Sequence, residues 1–510
     1  MRSLFKTISL VMLLTLLTRV LTLVSNVIYM TFYGVNLNTD IYTFSLQLPN
    51  IIFNSLGTVL TVIIIPIFAG YLGANNRERA YKFANDILTI TVIFTVVLSA
   101  VALIAAPLIL GFTRFKSEGY GFALYALRIM IPVMIFFALN YIFQGILQSF
   151  GRFNAPALVS LPSSLAVILY VIFLGKHGVK GLVVATFVGL ASQVLILVPS
   201  LLKTDYRFRP SLGIRNPDVI SAFKLIPPIL IATSAYQINM FFNITLAANF
   251  KDSVAVVTMA QTLILTAVLT FVYSITAVLF PRFAQMAGGN KLAELSGSLI
   301  QTIDFVFYIL VPGSLLIIGT RYQLVDFLYG WGKFTKSNVG FASLIFALYG
   351  IGIAGVGIKE ITDKVFYSLK DTRLPAVTGT VVVVMNIVLS LMLIRFMGVF
   401  GIPLAYSLAA ITGAFTGVFL LAKKYLKIFR SKGDFALMGK VIFAGGIMYG
   451  FLTLTVRYMP HLTLHSVFLA KVLNLLVPVL IAVIIYLLAT LIMKVSFTQV
   501  LYKRLKPSRG

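Results

Sequence analysis

Long apolar stretches, separated by short polar and basic segments, recur from one end of the sequence to the other. A membrane-spanning helix needs about 20 mostly apolar residues, and 14 stretches reach that length. The pattern predicts an all-α polytopic membrane protein with 14 transmembrane helices. The predicted helices lie near residues 8–31, 40–70, 86–112, 124–149, 156–175, 179–202, 218–249, 253–284, 298–319, 338–368, 374–396, 399–422, 438–458 and 466–493.

The composition supports this prediction. The chain is 59% hydrophobic and only 11% charged, whereas soluble domains have about 25% charged residues. A net charge of +27 would indicate nucleic-acid binding in a soluble protein. Here most Lys and Arg residues lie between the apolar stretches, so we expect no nucleic-acid partner. The basic start MRSLFK precedes an apolar run that is too long for a signal peptide, which predicts a retained first helix.

The basic residues also predict the orientation in the membrane. Lys and Arg are concentrated in the two termini and in the even-numbered loops, which places these parts in the cytoplasm by the positive-inside rule. An even number of helices puts both termini on that side. Two basic clusters, at 423–432 and 502–510, are expected to contact anionic membrane lipids.

Two pairs of segments indicate an internal repeat. IPIFAGYLGANN (65–76) aligns with FPRFAQMAGGNK (280–291), pairing Pro66 with Pro281 at an offset of 215 residues. FGRFNAPAL (150–158) aligns with LKDTRLPAV (369–377), pairing Pro156 with Pro375 at an offset of 219. Each copy would contain six helices and start on the same face of the membrane. The two lobes are therefore predicted to be parallel repeats around a central cavity.

The repeat predicts three parts of the chain. Residues 1–217 would form an N-lobe of helices 1–6, and residues 218–430 a C-lobe of helices 7–12. Residues 431–510 would add helices 13 and 14 with a basic tail.

Arg19 lies in the middle of the first predicted helix, too deep to reach either surface easily. A charge at bilayer depth usually faces water or a partner and marks a transport pathway. We therefore expect Arg19 to face an aqueous cavity and hold an anionic headgroup, with an internal pair to a carboxylate as the alternative.

Amides and other polar residues concentrate in the helices expected to line the cavity. In the second helix Gln47, Asn50 and Asn54 share one face. Such amides can also simply join membrane helices. The predicted central-cavity residues are Arg19, Asn26, Asp40, Gln47, Asn50, Asn54, Gln237, Asn239 and Gln261.

The tenth predicted helix holds GIKEITDKVFYSL (357–369), with more charge than any other span. Lys359 with Asp363, and Glu360 with Lys364, are opposite charges four residues apart, which can stabilise each other on a helix. These four residues are a possible charge-coupling site, or else mark the cytoplasmic end of a long helix.

The residues give little support for enzyme chemistry. There is no HExxH motif, no phosphate-binding loop and no Cys, and the acids of the tenth helix are matched by lysines. We expect a transporter without a cofactor or metal.

Several segments resemble one family in order. They are LTRVLTLVSNVIYMTFYGVNLNTDIYTFSLQLPN (17–50), ILQSFGRFNAPAL (146–158), YGWGKFT (329–335) and FYSLKDTRLPAV (366–377), which are similar to segments of the MurJ/MviN lipid II flippases. The resemblance implies a bacterial inner-membrane protein with the fold of the multidrug/oligosaccharidyl-lipid/polysaccharide exporters. It also implies that the protein flips undecaprenyl-pyrophosphate-linked peptidoglycan precursor by alternating access. We expect a monomer.

The resemblance carries over to Arg19 and Asp40, which match a cavity arginine and an aspartate of the family. Three family arginines do not match, and Ser25, Phe53 or Asn54, and Thr262 stand in their places. Either Lys359, Arg128 or Lys364 restores the positive charge, or the substrate is another lipid-linked oligosaccharide. A cation-coupled multidrug exporter is a further alternative, with Asp40 as its main candidate carboxylate.

Overall fold

A computed structural model describes residues 2–425, 432–458 and 466–505, and these residues are helical throughout, joined by turns and short loops. Tertiary contacts divide the chain into two compact units. The first comprises Met1–Ala255 and Gly332–Phe334, and the second Val256–Trp331 and Thr335–Gly510. Most of the basic cluster predicted at 423–432, and the end of the cluster at 502–510, lie outside the described residues.

The first unit contains nine α-helices among its described residues, and two of the predicted spans are each built from more than one helix. A 3-10 turn covers Arg114–Lys116, and a π-helical turn covers Tyr170–Leu174. The helices are α1 (Arg2–Tyr33), α2 (Leu37–Gly73), α3 (Arg77–Gly111), α4 (Tyr120–Met130), α5 (Val133–Ser149), α6 (Asn154–Ala157), α7 (Leu161–Leu169), α8 (Gly178–Leu202) and α9 (Pro217–Ala247).

The second unit contains the remaining helices of the described residues. Its helix α10 starts at the boundary between the units. The helices are α10 (Val254–Gly288), α11 (Leu292–Gly319), α12 (Arg321–Tyr329), α13 (Lys336–Ile351), α14 (Ile353–Ser368), α15 (Arg373–Met397), α16 (Gly401–Lys424), α17 (Lys432–Tyr458), α18 (Val467–Ile492) and α19 (Ser496–Leu505).

The hydrophobic pattern located the helices correctly. Each predicted segment coincides with helical structure, and eleven helical stretches of the described chain are long and apolar enough to cross a membrane. Two of these, of 49 and 52 residues, are long enough for two crossings each. The predicted segments 124–149 and 338–368 are each divided into two helices, at Pro132 and Gly352. A total of 14 spans therefore remains a prediction.

The turns that end corresponding helices have the same backbone conformation, which supports the internal repeat. Asn75 after α2 and Asn290 after α10 both adopt a positive φ, of 57° and 55°. Gly151 after α5 and Lys370 after α14 do so as well, with φ of 70° and 59°. A left-handed residue of this kind ends a helix by satisfying its last carbonyls. The matching bonds are Asn76 N to Tyr71 O and Lys291 N to Met286 O, then Arg152 N to Leu147 O and Asp371 N to Phe366 O.

Each unit has its own apolar core. In the first, Phe68 of α2 and Phe83 of α3 are fully buried in a cluster that also contains Ile142 of α5. In the second, α17 and α18 pack on α11 around Tyr308, whose backbone oxygen accepts a hydrogen bond of 2.8 Å from the Tyr486 hydroxyl. The predicted extents of the lobes, 1–217, 218–430 and 431–510, remain a prediction; helix α9, which follows residue 217, packs along α2 inside the first unit.

Candidate functional site

A polar cleft of about 390 Å³ lies inside the first unit, between α1, α2, α5 and α8. Three of the residues predicted from sequence line it together: Arg19 of α1, and Asn50 and Asn54 of α2. We call this the polar cleft. Its other lining residues are Phe137, Asn140, Tyr141, Gln144, Val159, Ser160, Leu190 and Gln193.

Arg19 gives the polar cleft its charge. It is the only ionisable cation or carboxylate among the described residues that line the cleft. It lies eleven residues after Ile8, where the predicted apolar stretch begins, so it is about 17 Å along the helix axis and near the middle of a hydrocarbon core of about 30 Å. Its side chain is exposed, and no carboxylate of the described chain pairs with it. The alternative of an internal ion pair for Arg19 is therefore not supported.

The α2 wall of the cleft is formed by two amides one helical turn apart. Asn54 is exposed, and its Oδ1 accepts a hydrogen bond of 3.0 Å from the Tyr141 hydroxyl. The Asn50 amide nitrogen donates to the Leu46 carbonyl at 2.8 Å, which leaves its Oδ1 available. Gln47 is half-buried on α2 and is not among the lining residues.

The opposite wall carries a chain of amides that the sequence analysis missed. Asn140 of α5 donates to Gln193 Oε1 of α8 at 3.0 Å, and Gln193 Nε2 donates to the Ser163 hydroxyl at 2.8 Å. Asn140 Oδ1 is buried and has no hydrogen-bond partner among the described residues. Gln144 lies one turn further along α5. The spacing of Asn140 and Gln144 is the same four-residue signal that identified Asn50 and Asn54, so sequence could have found them.

Asp40 lies elsewhere, in a buried cluster with Arg114, Ser253 and Ala255 that we call the Asp40 cluster. Its side chain has no exposure and pairs with Arg114 Nη2 at 3.1 Å. The carboxylate also accepts from the backbone N–H groups of Ser253 at 2.9 Å and Ala255 at 3.0 Å. These amides begin α10, so Asp40 caps that helix, a position that favours a negative charge. Asp40 was predicted to line a cavity, and the structure instead places it in this contact.

The remaining predicted amides do not join the polar cleft. Asn26 and Gln237 are half-buried on α1 and α9. Asn239 of α9 and Gln261 of α10 are buried, and Asn239 Oδ1 and Gln261 Nε2 have no hydrogen-bond partner among the described residues. A buried polar atom without a hydrogen-bond partner destabilises the folded protein unless another group forms a hydrogen bond with it.

The charges of the tenth predicted helix pair as the spacing predicted. On α14, Lys359 Nζ lies 2.6 Å from Asp363 Oδ2, and Lys364 Nζ lies 3.0 Å from Glu360 Oε1. Lys364 also lies over the ring of Tyr273, 5.8 Å from its centroid. All four charges are partly exposed, and both lysines use their own helix for a partner.

The positions that replace the family arginines have three different environments. Ser25 is buried and donates to the Thr22 carbonyl at 2.8 Å. Phe53 is buried, whereas the neighbouring Asn54 lines the polar cleft. Thr262 is exposed on α10. Of the three cations considered as replacements, Lys359 and Lys364 are paired, and Arg128 is exposed on α4 away from the cleft lining.

Comparison with known proteins gives matches over most of the chain. A family model described as lipid II flippase MurJ matches residues 29–472. A probable lipid II flippase MurJ from Buchnera aphidicola subsp. Schizaphis graminum is 24% identical over 489 residues, covering 93% of this chain and 94% of that protein. The solved structure of a lipid II flippase MurJ in an inward closed conformation has a TM-score of 0.78 and 21% identity, covering 95% of this chain and 98% of that one. An inward-facing multidrug resistance MATE family transporter has a TM-score of 0.66 and 18% identity, covering 78% and 93%.

Proposed function

The chain belongs to the MurJ family of lipid II flippases, and we propose that it moves lipid II from the cytoplasmic to the outer leaflet of the bacterial inner membrane by alternating access. It is then a transporter and leaves its substrate chemically unchanged. The substrate has an anionic pyrophosphate, a polar sugar and peptide headgroup, and a long apolar prenyl chain. A flippase must give the headgroup a polar path through the bilayer.

The observation that carries this proposal is the unpaired Arg19 in the polar cleft at mid-bilayer depth. A cation in such a place is costly unless a counter-charge or water compensates for it. A pyrophosphate supplies that counter-charge, and the planar guanidinium can donate two parallel hydrogen bonds to it. Binding of the anionic headgroup would therefore offset the free-energy cost of placing the Arg19 cation at this depth.

The amides around Arg19 would bind the uncharged part of the headgroup. Asn50 Oδ1 on α2 and the Gln144 amide on α5 both line the cleft and can form hydrogen bonds to the headgroup. Asn140 Oδ1 is an acceptor without a partner among the described residues, so a sugar hydroxyl or a water molecule that donates to it would remove an unsatisfied group. Hydrogen bonds from these neutral side chains would orient the sugar of the bound headgroup, whatever charge the rest of the substrate carries.

The proposal extends to the charges of α14 and to the setting of the protein. Lys359, Glu360, Asp363 and Lys364 are candidate coupling residues, because moving one charge through 100 mV changes its energy by about 2.3 kcal/mol. Asp363→Asn should then weaken the dependence of transport on membrane potential. Both termini would lie in the cytoplasm, the basic cluster 423–432 would contact anionic lipids, and the protein would act as a monomer.

The two alternatives have less support. The likeness to a MATE transporter concerns the fold alone. A cation-coupled exporter needs a deep carboxylate that can exchange cations, whereas Asp40 already binds Arg114 and two backbone amides. Another lipid-linked oligosaccharide would satisfy Arg19 equally well, so this alternative is tested by comparing substrates.

The experiment is translocation of lipid II in proteoliposomes with an imposed membrane potential. The wild type should move lipid II to the opposite leaflet, and Arg19→Ala should lose this activity while it inserts and elutes normally. Arg395→Ala is the matched control, because Arg395 is an exposed arginine near the end of α15. If the wild type does not transport lipid II but does transport a different undecaprenyl-linked glycan, that glycan is the substrate and the proposal is wrong. Equal transport by wild type and Arg19→Ala would remove Arg19 from the pathway.

A further inference from the structure

A cationic cleft and an apolar groove lie one after the other along α3 and α9. The cleft, of about 810 Å³, is formed where both helices begin and is lined by Arg79, Lys82 and Arg215. We call it the α3–α9 mouth. The groove, of about 380 Å³, lies further along the same two helices and is completed by α2. We call it the α3–α9 groove, and all of its helices belong to the first unit.

The mouth has cations available for a ligand. Glu78 and Asp218 also line it, but Asp218 is bonded to Arg79, at 3.0 Å from Nε. Lys82 and Arg215 are exposed and form no ion pair with any part of the chain that the structure describes. The mouth therefore has an excess of positive charge, close to the beginnings of α3 and α9, which favour anions.

The wall that carries Arg215 is fixed by a buried carboxylate. Asp86 of α3 has no exposure and accepts from the Gly213 backbone N–H and the Asn216 side chain, each at 3.0 Å, and from the Ser211 hydroxyl. A Cβ on Gly213 would lie 2.0 Å from Asp86 Oδ2, so only glycine allows this close approach. The residues that precede α9 are thus held against α3, and the mouth is built into the fold.

The groove has the length and chemistry of an acyl-chain site. From Lys82 to Phe94 is 12 residues of α3, which is about 18 Å. One leaflet of a hydrocarbon core is about 15 Å thick. The described lining is apolar apart from Thr91, and it includes Leu60, Phe94, Phe223 and Ile226. Phe94 and Phe223 are also exposed, so a chain can enter from the surrounding lipid.

We propose that the α3–α9 mouth and groove bind one anionic phospholipid of the adjacent leaflet, with its phosphate between Lys82 and Arg215 and one acyl chain along Phe223 and Phe94. Charge complementarity selects the headgroup, since the site combines unpaired cations with a continuous apolar track. The headgroup of a zwitterionic lipid carries its own positive charge, so its attraction to the cations of the mouth is weaker. With two basic residues at the surface, the expected preference for phosphatidylglycerol over phosphatidylcholine is on the order of thirtyfold.

The test uses the absence of cysteine from the chain. A bimane fluorophore is attached to Phe94→Cys in the groove, or to Ile104→Cys, which is 81% exposed further along α3. Proteoliposomes then contain equal fractions of phosphatidylglycerol or phosphatidylcholine with brominated, quenching acyl chains. We expect brominated phosphatidylglycerol to quench the Phe94→Cys label more strongly, and the two lipids to quench the Ile104→Cys label equally.

Variants assign the preference to the mouth. Lys82→Ala with Arg215→Ala should abolish the difference between the two lipids at Phe94→Cys. Arg209→Ala is the matched control and should retain it, because Arg209 is exposed on the same loop but does not line the mouth. Equal quenching by both lipids in the parent, or a difference that survives in the double variant, would overturn the proposal. Undecaprenyl phosphate and unbrominated phosphatidylglycerol are also added separately as competitors of the brominated lipid. If undecaprenyl phosphate relieves the quenching more strongly, the groove binds a prenyl lipid, and the proposal is overturned.

Discussion

Replacing Asp40 by Ala tests whether this residue holds the fold together or lines a transport pathway. The change removes two hydrogen bonds to the first amides of α10 and leaves Arg114, 12% exposed, without its closest carboxylate. Glu118 lies 3.8 Å from Arg114, but it is 60% exposed and can replace little of the lost interaction. Removing one partner of a buried ion pair costs about 3–5 kcal/mol. Because 1 kcal/mol corresponds to about 2–4 °C in a unit of this size, Tm should fall by roughly 6–20 °C.

The assay is thermal unfolding of the purified protein in detergent, followed by tryptophan fluorescence. Asp205→Ala is the matched control, because Asp205 also pairs with an arginine, Arg77, but both side chains are more than half exposed. An exposed ion pair contributes about 0–1 kcal/mol, so this variant should differ from wild type by at most about 4 °C. An Asp40→Ala protein as stable as Asp205→Ala, yet inactive in transport, would contradict the structural role and support the cavity role expected from sequence.

Three other predictions concern sites outside the polar cleft. Burial raises the pKa of Asp371, but hydrogen bonds from a lysine, a tyrosine and two backbone amides outweigh it and hold the pKa well below its usual range. Asp371→Asn should therefore lower Tm at pH 7, and the difference from wild type should begin to shrink only below about pH 4, where the carboxylate of the unfolded chain becomes protonated while that of the folded chain stays ionised. Gly213→Ala should lower Tm and expose the loop before α9 to protease, because the added Cβ collides with Asp86; unchanged cleavage would refute this. Lys471 lies 4.2 Å from the ring centroid of the only tryptophan, Trp331, so Lys471→Ala should increase quenching of its fluorescence by the neutral quencher acrylamide, and an unchanged quenching constant would count against the contact.

Local signals in the sequence predicted the features that depend on neighbouring residues. The two ion pairs of α14 follow from opposite charges four residues apart, and both are present. The helices follow from apolar stretches of sufficient length. The helix α12 and the loop before α9 were not predicted, because neither is long and apolar. The turns at Asn75 and Asn290 have matching backbone conformations, which supports the alignment predicted from the repeat.

Features that depend on distant residues could not be predicted. The backbone amides that Asp40 binds, at Ser253 and Ala255, are more than 200 residues away in the chain. Nearly every residue has a backbone N–H group, so the sequence does not show which of them a carboxylate will bind. The contact between Asn140 and Gln193 spans 53 residues. Arg19 could be singled out because a charge inside an apolar run is unusual, but only the folded chain shows that it shares a cleft with Asn50 and Asn54.

The most direct test of the central claim is complementation of bacteria depleted of their own lipid II flippase. The account predicts that this chain restores growth, that Arg19→Ala fails to do so although it is present in the membrane, and that Arg395→Ala restores growth like the wild type. Failure of the wild-type chain despite confirmed membrane insertion would contradict lipid II transport. Equal rescue by the wild type and Arg19→Ala would contradict the role of the polar cleft.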